Sequence, residues 1–552
     1  MATLFWFRNG LRVHDNRALL KALDYDLDEK TSCIRNADKK HSALVYPVYI
    51  LEPDRLKSGL IGPNRVKYLQ VKTCHCREAA VDKSAGDPLS KIPKLCADYK
   101  VNKLVFERDT DEYCRGRDEN IKELMKKCHV QVETYSGHTL WDLDDIMDRS
   151  GGQLTKSYGP FVKLLEKMPQ PQNRFPSIPT MQGTLDPHMA TDPKYDLPNV
   201  EDYLQGKEPT TIHKGGESEG LRRLDNYLQD TTRTRVFRKP QTSPIDTHPA
   251  STTILSPFMK FGSLSCRTFW HRVNEVYKKG QHSAPPESLI GQLYWREFFY
   301  SQGEVALLIP WKGYNENKED EEKFQAWAEG RTRYPWIDAV MHQLIKHGWM
   351  HQLARHCVAC FLTRGQLFIS WEKGAEVFHK YLLDADYNLN NGNWLWLSAS
   401  AYYTTYFRVY SPTKFPQKYG KSDGAKFIRQ FVPEVAKLPD LYIFEPWKAP
   451  PSVQKSSNCV LGKDYPHPIM DAENAKAENM EIMRICYEKK VHGNCSPKEY
   501  EDHMALFKIV LAKDYNQYGN GASNKAPRKG QINLETAMQQ LAKRTQRQRE
   551  NN

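Results

Sequence analysis

A polar and aromatic stretch between Gly348 and Trp394 constrains this chain more than any other segment. It carries the cation of Arg355, the carboxylates of Asp384 and Asp386, and several indoles within fewer than fifty residues. Apolar positions recur at helical spacing on both sides, so these polar groups are expected to face the interior of a helical domain. A charge in such a place must be paired or must serve a ligand, because burying it alone is very costly. Arg355 and Asp384 are the predicted pair.

The chain of 552 residues is too long for a single hydrophobic core, and its length predicts two large domains. Strand-like runs at 3–8, 43–50, 103–107 and 130–135 alternate with amphipathic stretches, which predicts a parallel, Rossmann-like α/β sheet. Beyond about residue 220, helical spacing predicts a larger all-α domain. The predicted division is an α/β domain at 1–135, a connector rich in proline and glycine at 136–206, a helical domain at 207–490 and a tail at 491–552.

Charge and cysteine content restrict the cellular setting. The net charge of +12 favours contact with phosphate or another anionic partner without establishing nucleic-acid binding. The 12 cysteines are scattered, without the two CxxC pairs of a zinc site, and indicate reduced thiols. No apolar stretch is long enough to cross a bilayer, and Met1 leads directly into Leu4-Phe5-Trp6-Phe7-Arg8 without a signal sequence. We therefore expect a soluble intracellular protein that makes no membrane contact.

The end of the tail is basic. Residues 520–552 carry seven Lys or Arg against two Glu. This composition predicts a mobile, solvated end with a short helix over 533–543.

Two further segments place polar groups at the start of helical patterns. Thr252-Thr253-Ile254-Leu255-Ser256-Pro257 offers hydroxyls and backbone amides that can hold a phosphate, although an ordinary helix cap is the alternative. Gln292-Leu293-Tyr294-Trp295-Arg296-Glu297-Phe298-Phe299 carries an amide and a cation among apolar partners. Its alternative interpretation is a buried ion pair of Arg296 with Glu297 or with a distant carboxylate.

Taken together, these segments resemble the photolyase and cryptochrome family of flavoproteins. The resemblance runs from Trp6-Phe7-Arg8-Asn9-Gly10-Leu11-Arg12-Val13-His14-Asp15-Asn16 to Glu445-Pro446-Trp447 and so covers nearly the whole chain. It implies a photolyase-type α/β domain followed by a helical domain that holds FAD in a folded conformation. The contacts of an antenna chromophore have no specific sequence pattern, so that ligand stays unassigned.

The resemblance also assigns residues to the cofactor. Those implied to cradle the pyrophosphate are Thr252, Thr253, Leu255 and Ser256. Those implied to contact FAD from neighbouring helices and turns are Gln292, Arg296, Trp349, Gln352 and Ala385, with Arg355 and Asp384 paired beside the flavin ring, Asp386 at the ribose or ring edge, and Asn390 facing flavin N5. A bound dinucleotide would explain polar groups that are otherwise costly to bury.

The family further implies a chain of three tryptophans that conducts electrons between the flavin and the surface. Trp394, Trp371 and Trp311 match it, and three ordinary core tryptophans are the alternative. Many animal relatives have a fourth tryptophan where this chain has Phe368, which is much harder to oxidise. A tyrosine from the run Tyr402, Tyr403 and Tyr406 could replace the last step.

Gln352 separates the two activities that the family supports. The (6-4) photolyases, which resemble this helical domain closely, have a histidine at that position to protonate the DNA lesion. An amide cannot act as a general acid near neutral pH, whereas histidine can. His356, the second histidine of that motif, is retained, and the neighbouring His351 leaves repair open.

The tail and the residue facing N5 give two more clues. The segment 495–507 resembles the tail of insect-type, light-sensitive cryptochromes, in which Leu506 and Phe507 would plug the lesion groove, although Lys508 departs from that pattern. A plain surface helix is the alternative. Asn390 replaces the cysteine of the insect type, which leaves open whether light produces a neutral or an anionic flavin radical.

The sequence therefore predicts an FAD-dependent blue-light receptor that signals through its tail or an interface, in the nucleus and cytoplasm. The alternatives are a (6-4) DNA photolyase and a light-independent circadian transcriptional repressor. The expected partners are signalling or clock proteins and a second copy of the chain, with weak or no binding of lesion DNA.

Overall fold

The computed structural model describes residues 2–28, 33–34, 44–53, 56, 59–75, 86–153, 155–172, 174–175, 203–204, 206–246, 250–302, 306–313, 317–496, 498–499 and 501–505. The strands in these ranges are β1 (Ala2–Phe7), β2 (Leu27–Asp28), β3 (Cys33–Ile34), β4 (Leu44–Tyr49), β5 (Lys103–Glu107) and β6 (Gln131–Tyr135). Four of them form a parallel sheet in the order β4-β1-β5-β6. The predicted α/β sheet is confirmed, and its four predicted strands are present to within one residue at either end.

Apolar residues cover both faces of the parallel sheet. In β1, Leu4 and Trp6 pack into one buried cluster, while Phe5 and Phe7 pack into another on the opposite face. Such two-sided burial is typical of parallel strands linked by helices. The helices that pack on these faces are α1 (Arg17–Ala22), α3 (Pro88–Asp98) and α4 (Glu112–Lys127), whereas α2 (Pro63–His75) packs in separate clusters.

The segment predicted as a connector contains two helices, α5 (Leu143–Arg149) and α6 (Tyr158–Leu165). Asp142 caps α5 by accepting a hydrogen bond from the Asp144 amide. Pro160 lies in the first turn of α6, where the missing N–H has no helical partner to lose. The segment 176–202 lies outside the described residues, and the domain limits at 135, 206 and 490 stay predictions.

The second half of the chain is helical, as predicted. Its helices are α7 (Glu217–Gln229), α8 (Thr231–Val236), α9 (Ser256–Lys260), α10 (Cys266–Tyr277), α11 (Leu289–Ser301), α12 (Lys318–Ala328), α13 (Pro335–His347), α14 (Gln352–Cys360), α15 (Trp371–Tyr381), α16 (Tyr387–Ser398), α17 (Lys414–Gln417), α18 (Lys421–Phe431), α19 (Pro451–Ser456) and α20 (Ala472–Lys489). A π-helical turn at Phe361–Gly365 ends α14, and 3₁₀ turns lie at Lys239–Gln241, Pro433–Val435 and Pro446–Lys448.

The largest buried cluster of the helical part lies around α13, α14 and α16 and includes Trp327, Trp336 and Trp394. These indoles anchor the helices whose other faces form the site described below. No helix among the described residues combines the length and the apolarity that a membrane span requires.

The described part of the tail ends in a helical turn, seen at 498–499 and 501–505. A capping box starts this turn: the Ser496 amide donates to Glu499 Oε2 at 2.9 Å, and the Glu499 amide donates to Ser496 Oγ at 3.3 Å. His503 Nε2 lies 3.1 Å from the Leu308 carbonyl, which places the turn against the segment that carries Trp311. Leu506, Phe507, Lys508, the basic end and the predicted helix at 533–543 lie outside the described residues.

Candidate functional site

A cavity of about 470 Å³ opens in the helical part between α9, α11, α14 and α16. This is the size of a small-molecule site. The sequence-predicted residues that line it are Thr252, Thr253, Leu255, Ser256, Gln292, Arg296, Trp349, Gln352, Arg355, His356, Asp384, Ala385, Asn390 and Trp394. Asp386, Trp371 and Trp311 are not part of this lining. The fold thus brings together most of the residues that the sequence assigned to one cofactor.

The predicted ion pair of Arg355 and Asp384 is present in the cavity wall. The guanidinium donates two parallel hydrogen bonds, Nη1 to Oδ1 at 3.0 Å and Nη2 to Oδ2 at 2.8 Å. Ser256 Oγ donates a third to Asp384 Oδ2 at 2.6 Å. Burial by itself would raise the pKa of Asp384, but Arg355 and Ser256 outweigh it and hold that pKa below its ordinary value. The wall therefore contains a fixed carboxylate and a fixed guanidinium.

The segment 252–256 does not form an ordinary helix cap. Leu255 occupies the cap position of α9 and makes no side-chain cap bond, while Ser256 points its hydroxyl at Asp384. Thr252 Oγ1 is buried and has no hydrogen-bond partner among the described residues. A buried hydroxyl on a cavity wall is a donor available to a ligand oxygen. This arrangement fits a phosphate group better than a plain cap.

Arg296 is paired with a distant carboxylate, one of the two partners that the sequence left open. Its Nη1 lies 3.8 Å from Asp386 Oδ2, and its Nη2 donates to the Tyr300 hydroxyl at 3.1 Å. Tyr300 in turn donates to Asp386, which also caps α16 by accepting from the Leu389 amide at 3.2 Å. The Asp386 carboxylate is thus engaged by protein groups, and it fixes the start of the helix that carries Asn390 and Trp394.

Glu297, the other candidate partner, accepts a hydrogen bond from the Leu140 amide at 2.9 Å instead. It is fully buried. Burial raises its pKa to about 8, against the smaller opposing effects of the Leu140 amide and Arg296. Glu297 is therefore mostly protonated at neutral pH.

Gln352 and His356 form a polar strip along the cavity. Gln352 Nε2 donates to Asn393 Oδ1 at 3.0 Å and lies 3.4 Å from His356 Nε2, while His356 Nδ1 lies 3.1 Å from the Tyr410 hydroxyl. Burial, with the nearby cations of Lys239 and Arg355, lowers the pKa of His356 to about 3. The imidazole is neutral at pH 7.

His351 does not line the cavity. Its Nδ1 accepts from the Leu353 amide at 3.1 Å and caps α14. Burial lowers the pKa of His351 to about 2, so this ring is also neutral at pH 7.

Sequence reasoning missed Lys239 and Asn393, which both line the cavity. Burial, together with Arg355, lowers the pKa of Lys239 to about 7, so a mixed population of charged and neutral amine exists at neutral pH. Asn393 lies one residue before Trp394 and three after Asn390, and helical spacing from Asn390 could have found it. No local pattern marks Lys239, because it reaches the cavity from a 3₁₀ turn far along the chain.

The three predicted redox tryptophans occupy different layers. Trp394 is buried beside the cavity, with its ring 4.8 Å from Phe378 and 6.2 Å from Trp327. Trp371 is half-buried and packs on the same core cluster at the start of α15. Trp311 packs in a separate outer cluster, where its ring lies 4.8 Å from Phe368.

The structure distinguishes among the predicted substitute tyrosines. Tyr403 and Tyr406 pack in the same outer cluster as Trp311, together with Tyr487. Tyr402 packs against Phe298 in another cluster, at a ring distance of 5.2 Å. Tyr403 and Tyr406 therefore remain candidates for a last oxidation step, whereas Tyr402 packs in a cluster that does not contain Trp311.

A second cavity, of about 580 Å³, lies at the carboxyl ends of β1, β4 and β5. Arg8, Leu51, Asp109 and Arg117 line it from the α/β domain, and Lys260 and His379 close it from the helical part. Open α/β sheets bind ligands at this edge, where the strand order reverses. The alternation of strands and helices in the sequence could have predicted the position, but not the lining from the helical part.

Two family models match the chain: "DNA photolyase" over residues 3–180 and "FAD binding domain of DNA photolyase" over residues 289–485. A (6-4)DNA photolyase of rice is 37% identical over 520 residues, which span 88% of this chain and 90% of that protein. The chain belongs to the photolyase and cryptochrome family. Cryptochrome-2 of chicken is 36% identical over 523 residues, 89% of this chain and 85% of that one. The structure of a class III photolyase from Agrobacterium tumefaciens covers 88% of this chain and 98% of its own, with a TM-score of 0.70 and 27% identity.

Membership of this family makes FAD the cofactor of the helical domain, and the cavity fits it. The hydroxyl of Thr252, which has no partner within the described part of the chain, suits a phosphate, and the fixed pair of Arg355 and Asp384 offers both charges to a polar ring system. Asn390 donates its amide to the Ala375 carbonyl at 2.9 Å, which holds its side chain in the wall.

Proposed function

We propose that this chain is a blue-light photoreceptor of the cryptochrome type. The observation that carries the proposal is the cavity strip at Gln352, where an amide occupies the position of a general acid. Bound FAD would supply the absorption of blue light and the capacity to accept an electron. The residues of the chain would hold the cofactor, supply the electron and transmit the change.

The strip at Gln352 is suited to hydrogen bonding and not to proton donation. Its amide holds the His356 ring in place, and the pKa of about 3 keeps that ring neutral. General acid catalysis needs a pKa near the working pH. A lesion in this cavity would therefore meet neutral donors at the position where a repair enzyme needs an acid.

Trp394, Trp371 and Trp311 would supply the electron, because indole is readily oxidised and the three rings lie in the cavity wall, on the core cluster and in the outer cluster, respectively. The tail turn that contains His503 lies against the segment that carries Trp311. This contact supports signalling through the tail, and an interface elsewhere is the other route. Signalling or clock proteins, a second copy of the chain, and a location in nucleus and cytoplasm belong to the same proposal.

One observation favours (6-4) photolyase as the second candidate. Lys239 lines the cavity, and its pKa of about 7 is that of a usable general acid at neutral pH. The similarity to plant (6-4)DNA photolyases points the same way. If Lys239 reaches the lesion, it could replace the missing histidine.

Photoreduction of the purified, FAD-loaded protein tests the proposal. Blue light should bleach the oxidised flavin band in the unmodified protein, and Trp394→Phe should slow the bleaching by at least about tenfold, since the ring nearest the cavity loses its readily oxidised indole. Trp447→Phe is the matched control, because Trp447 is half-buried on the same core cluster but away from the cavity. Equal rates in the two variants would contradict the tryptophan route. A purified protein that retains no FAD would favour the light-independent repressor.

A further inference from the structure

The start of α2, in the α/β domain, contacts the ends of two helices of the helical domain. Asn64 Nδ2 donates to the carbonyls of Ile345 at 3.0 Å and Lys346 at 3.2 Å, in the last turn of α13. The amide of Gly62 donates to the Lys380 carbonyl at 2.8 Å, and Arg65 Nη1 donates to the His379 carbonyl, both in the last turn of α15. Carbonyls in the last turn of a helix have no partner within the helix. The α/β domain thus caps both helices.

Asn64 also organises the loop that completes this contact. Its Oδ1 accepts hydrogen bonds from the amides of Thr210 at 2.7 Å and Thr211 at 2.8 Å. The two threonine hydroxyls donate onward to the carbonyls of Lys346 at 2.6 Å and His347 at 2.7 Å. A primary amide has two donor hydrogens and an acceptor oxygen with two lone pairs, and every one is used here. Asn64 is only 3% exposed, so none of these bonds competes strongly with water.

Both capped helices lead directly into the wall of the FAD cavity. Trp349 follows the end of α13 by two residues, and Asp384 follows the end of α15 by three. The two turns are also joined to each other, because the Leu383 amide donates to the Gly348 carbonyl at 2.8 Å. A Cβ at Gly348 would lie 2.9 Å from Leu383 Cγ, which shows how closely the turns approach. Any shift of either helix end therefore moves the cavity wall.

We propose that Asn64 and Arg65 are positioning residues for FAD: they hold the ends of α13 and α15 and thereby fix Trp349 and Asp384 in the cavity wall. Neither residue lines the FAD cavity, so each acts through the two turns. The inference rests on FAD binding, and it holds for a photoreceptor or a repair enzyme alike.

Asn64→Asp tests the contact at Asn64. The substitution keeps the acceptor for the Thr210 and Thr211 amides but turns a carboxylate oxygen toward the carbonyls of Ile345 and Lys346. The Kd for FAD, titrated into the apoprotein below its unfolding temperature, should rise by about tenfold or more, the factor expected when two buried hydrogen bonds are lost. In the FAD-free protein, hydrogen exchange at the Leu383 amide should accelerate. Lys67→Ala, an exposed change on the same helix, should alter neither quantity.

Two variants of Arg65 distinguish a positioning role from simple packing between the domains. Arg65→Lys keeps a donor for the His379 carbonyl and should bind FAD within about threefold of the unmodified protein, whereas Arg65→Leu should weaken binding about tenfold. If Asn64→Asp does not fold, Thr211→Val, which removes one hydroxyl donor to His347, replaces it and should raise the Kd about threefold. Unchanged FAD affinity together with unchanged Leu383 exchange, in a folded variant of Asn64 or Thr211, would overturn the proposal.

Discussion

Replacing Glu297 by glutamine isolates the energetic effect of one buried carboxyl. Glu297 is fully buried, and burial raises its pKa to about 8 from the ordinary 4.5. A raised folded-state pKa means that the folded protein binds a proton that the unfolded chain releases. The contribution of Glu297 to the free energy of unfolding is therefore greatest below pH 4.5 and is lost as the pH rises toward 8. Each unit of difference in pKa is worth about 1.4 kcal/mol. Between pH 6 and pH 8 the titration of this carboxyl should lower the free energy of unfolding by about 2 kcal/mol.

In the Glu297→Gln variant this position contributes no pH dependence to the free energy of unfolding. The amide oxygen of the new side chain can still accept from the Leu140 amide. The assay is the midpoint of unfolding of both proteins at pH 6, 7 and 8 with FAD in excess. Every other titrating group is common to the two, so the difference between them reports Glu297 alone. From pH 6 to pH 8, the free energy of unfolding of the variant should rise by about 2 kcal/mol relative to that of the unmodified protein. A difference that stays constant with pH, or that changes in favour of the unmodified protein as the pH rises, would refute the reasoning.

Three further predictions concern the cavity, the outer cluster and the tail. Asp384→Asn leaves Arg355 without its carboxylate, and because an unpaired buried charge is costly, the Kd for FAD should rise at least about tenfold in a fluorescence titration, while Asn388→Ala, outside the cavity lining, should leave it unchanged. Phe368→Trp replaces a ring that lies 4.8 Å from Trp311 by an oxidisable one, and transient absorption should show longer-lived charge separation than in the unmodified protein. Equal lifetimes would mean that electron transfer does not continue from Trp311 to this position. Ser496→Ala removes the capping box, so amide exchange at 498–499 and 501–505 should accelerate severalfold, whereas Lys498→Ala should have no such effect.

The strands and the ion pair show what the sequence can predict. The run from Thr3 to Phe7 is apolar at every position from Leu4 onward, which is the local signature of a doubly covered parallel strand. Arg355 and Asp384 were predictable as a pair because both stand in helical patterns dominated by apolar residues, where an unpaired charge would not be tolerated. Local pattern and elementary electrostatics suffice for these features.

Other features depend on contacts that no local pattern encodes. Asp386 binds Tyr300, which lies 86 positions earlier in the chain, and Asn64 binds the Ile345 carbonyl across 281 positions. Lys239 lines the cavity from a 3₁₀ turn whose Lys239 amide donates to the Glu287 carbonyl at 3.0 Å, 48 positions further along the chain. Packing of whole elements determines such partners, and a period of two or 3.6 residues carries no information about it.

The helices α5 and α6 are a different case, because their signals were present. Asp142 is a good cap, and a proline in the first turn of α6 is compatible with a helix. The density of proline and glycine in the surrounding segment favoured a connector instead.

The most direct test of the photoreceptor proposal is a repair assay. The protein is prepared with its flavin fully reduced, illuminated with DNA that contains a (6-4) lesion, and assayed for restored pyrimidines, with Gln352→His measured in parallel. We expect no repair by the unmodified protein, since its cavity strip has an amide and a neutral imidazole where an acid is needed. Repair by the unmodified protein would contradict the proposal and point to Lys239 as the proton donor.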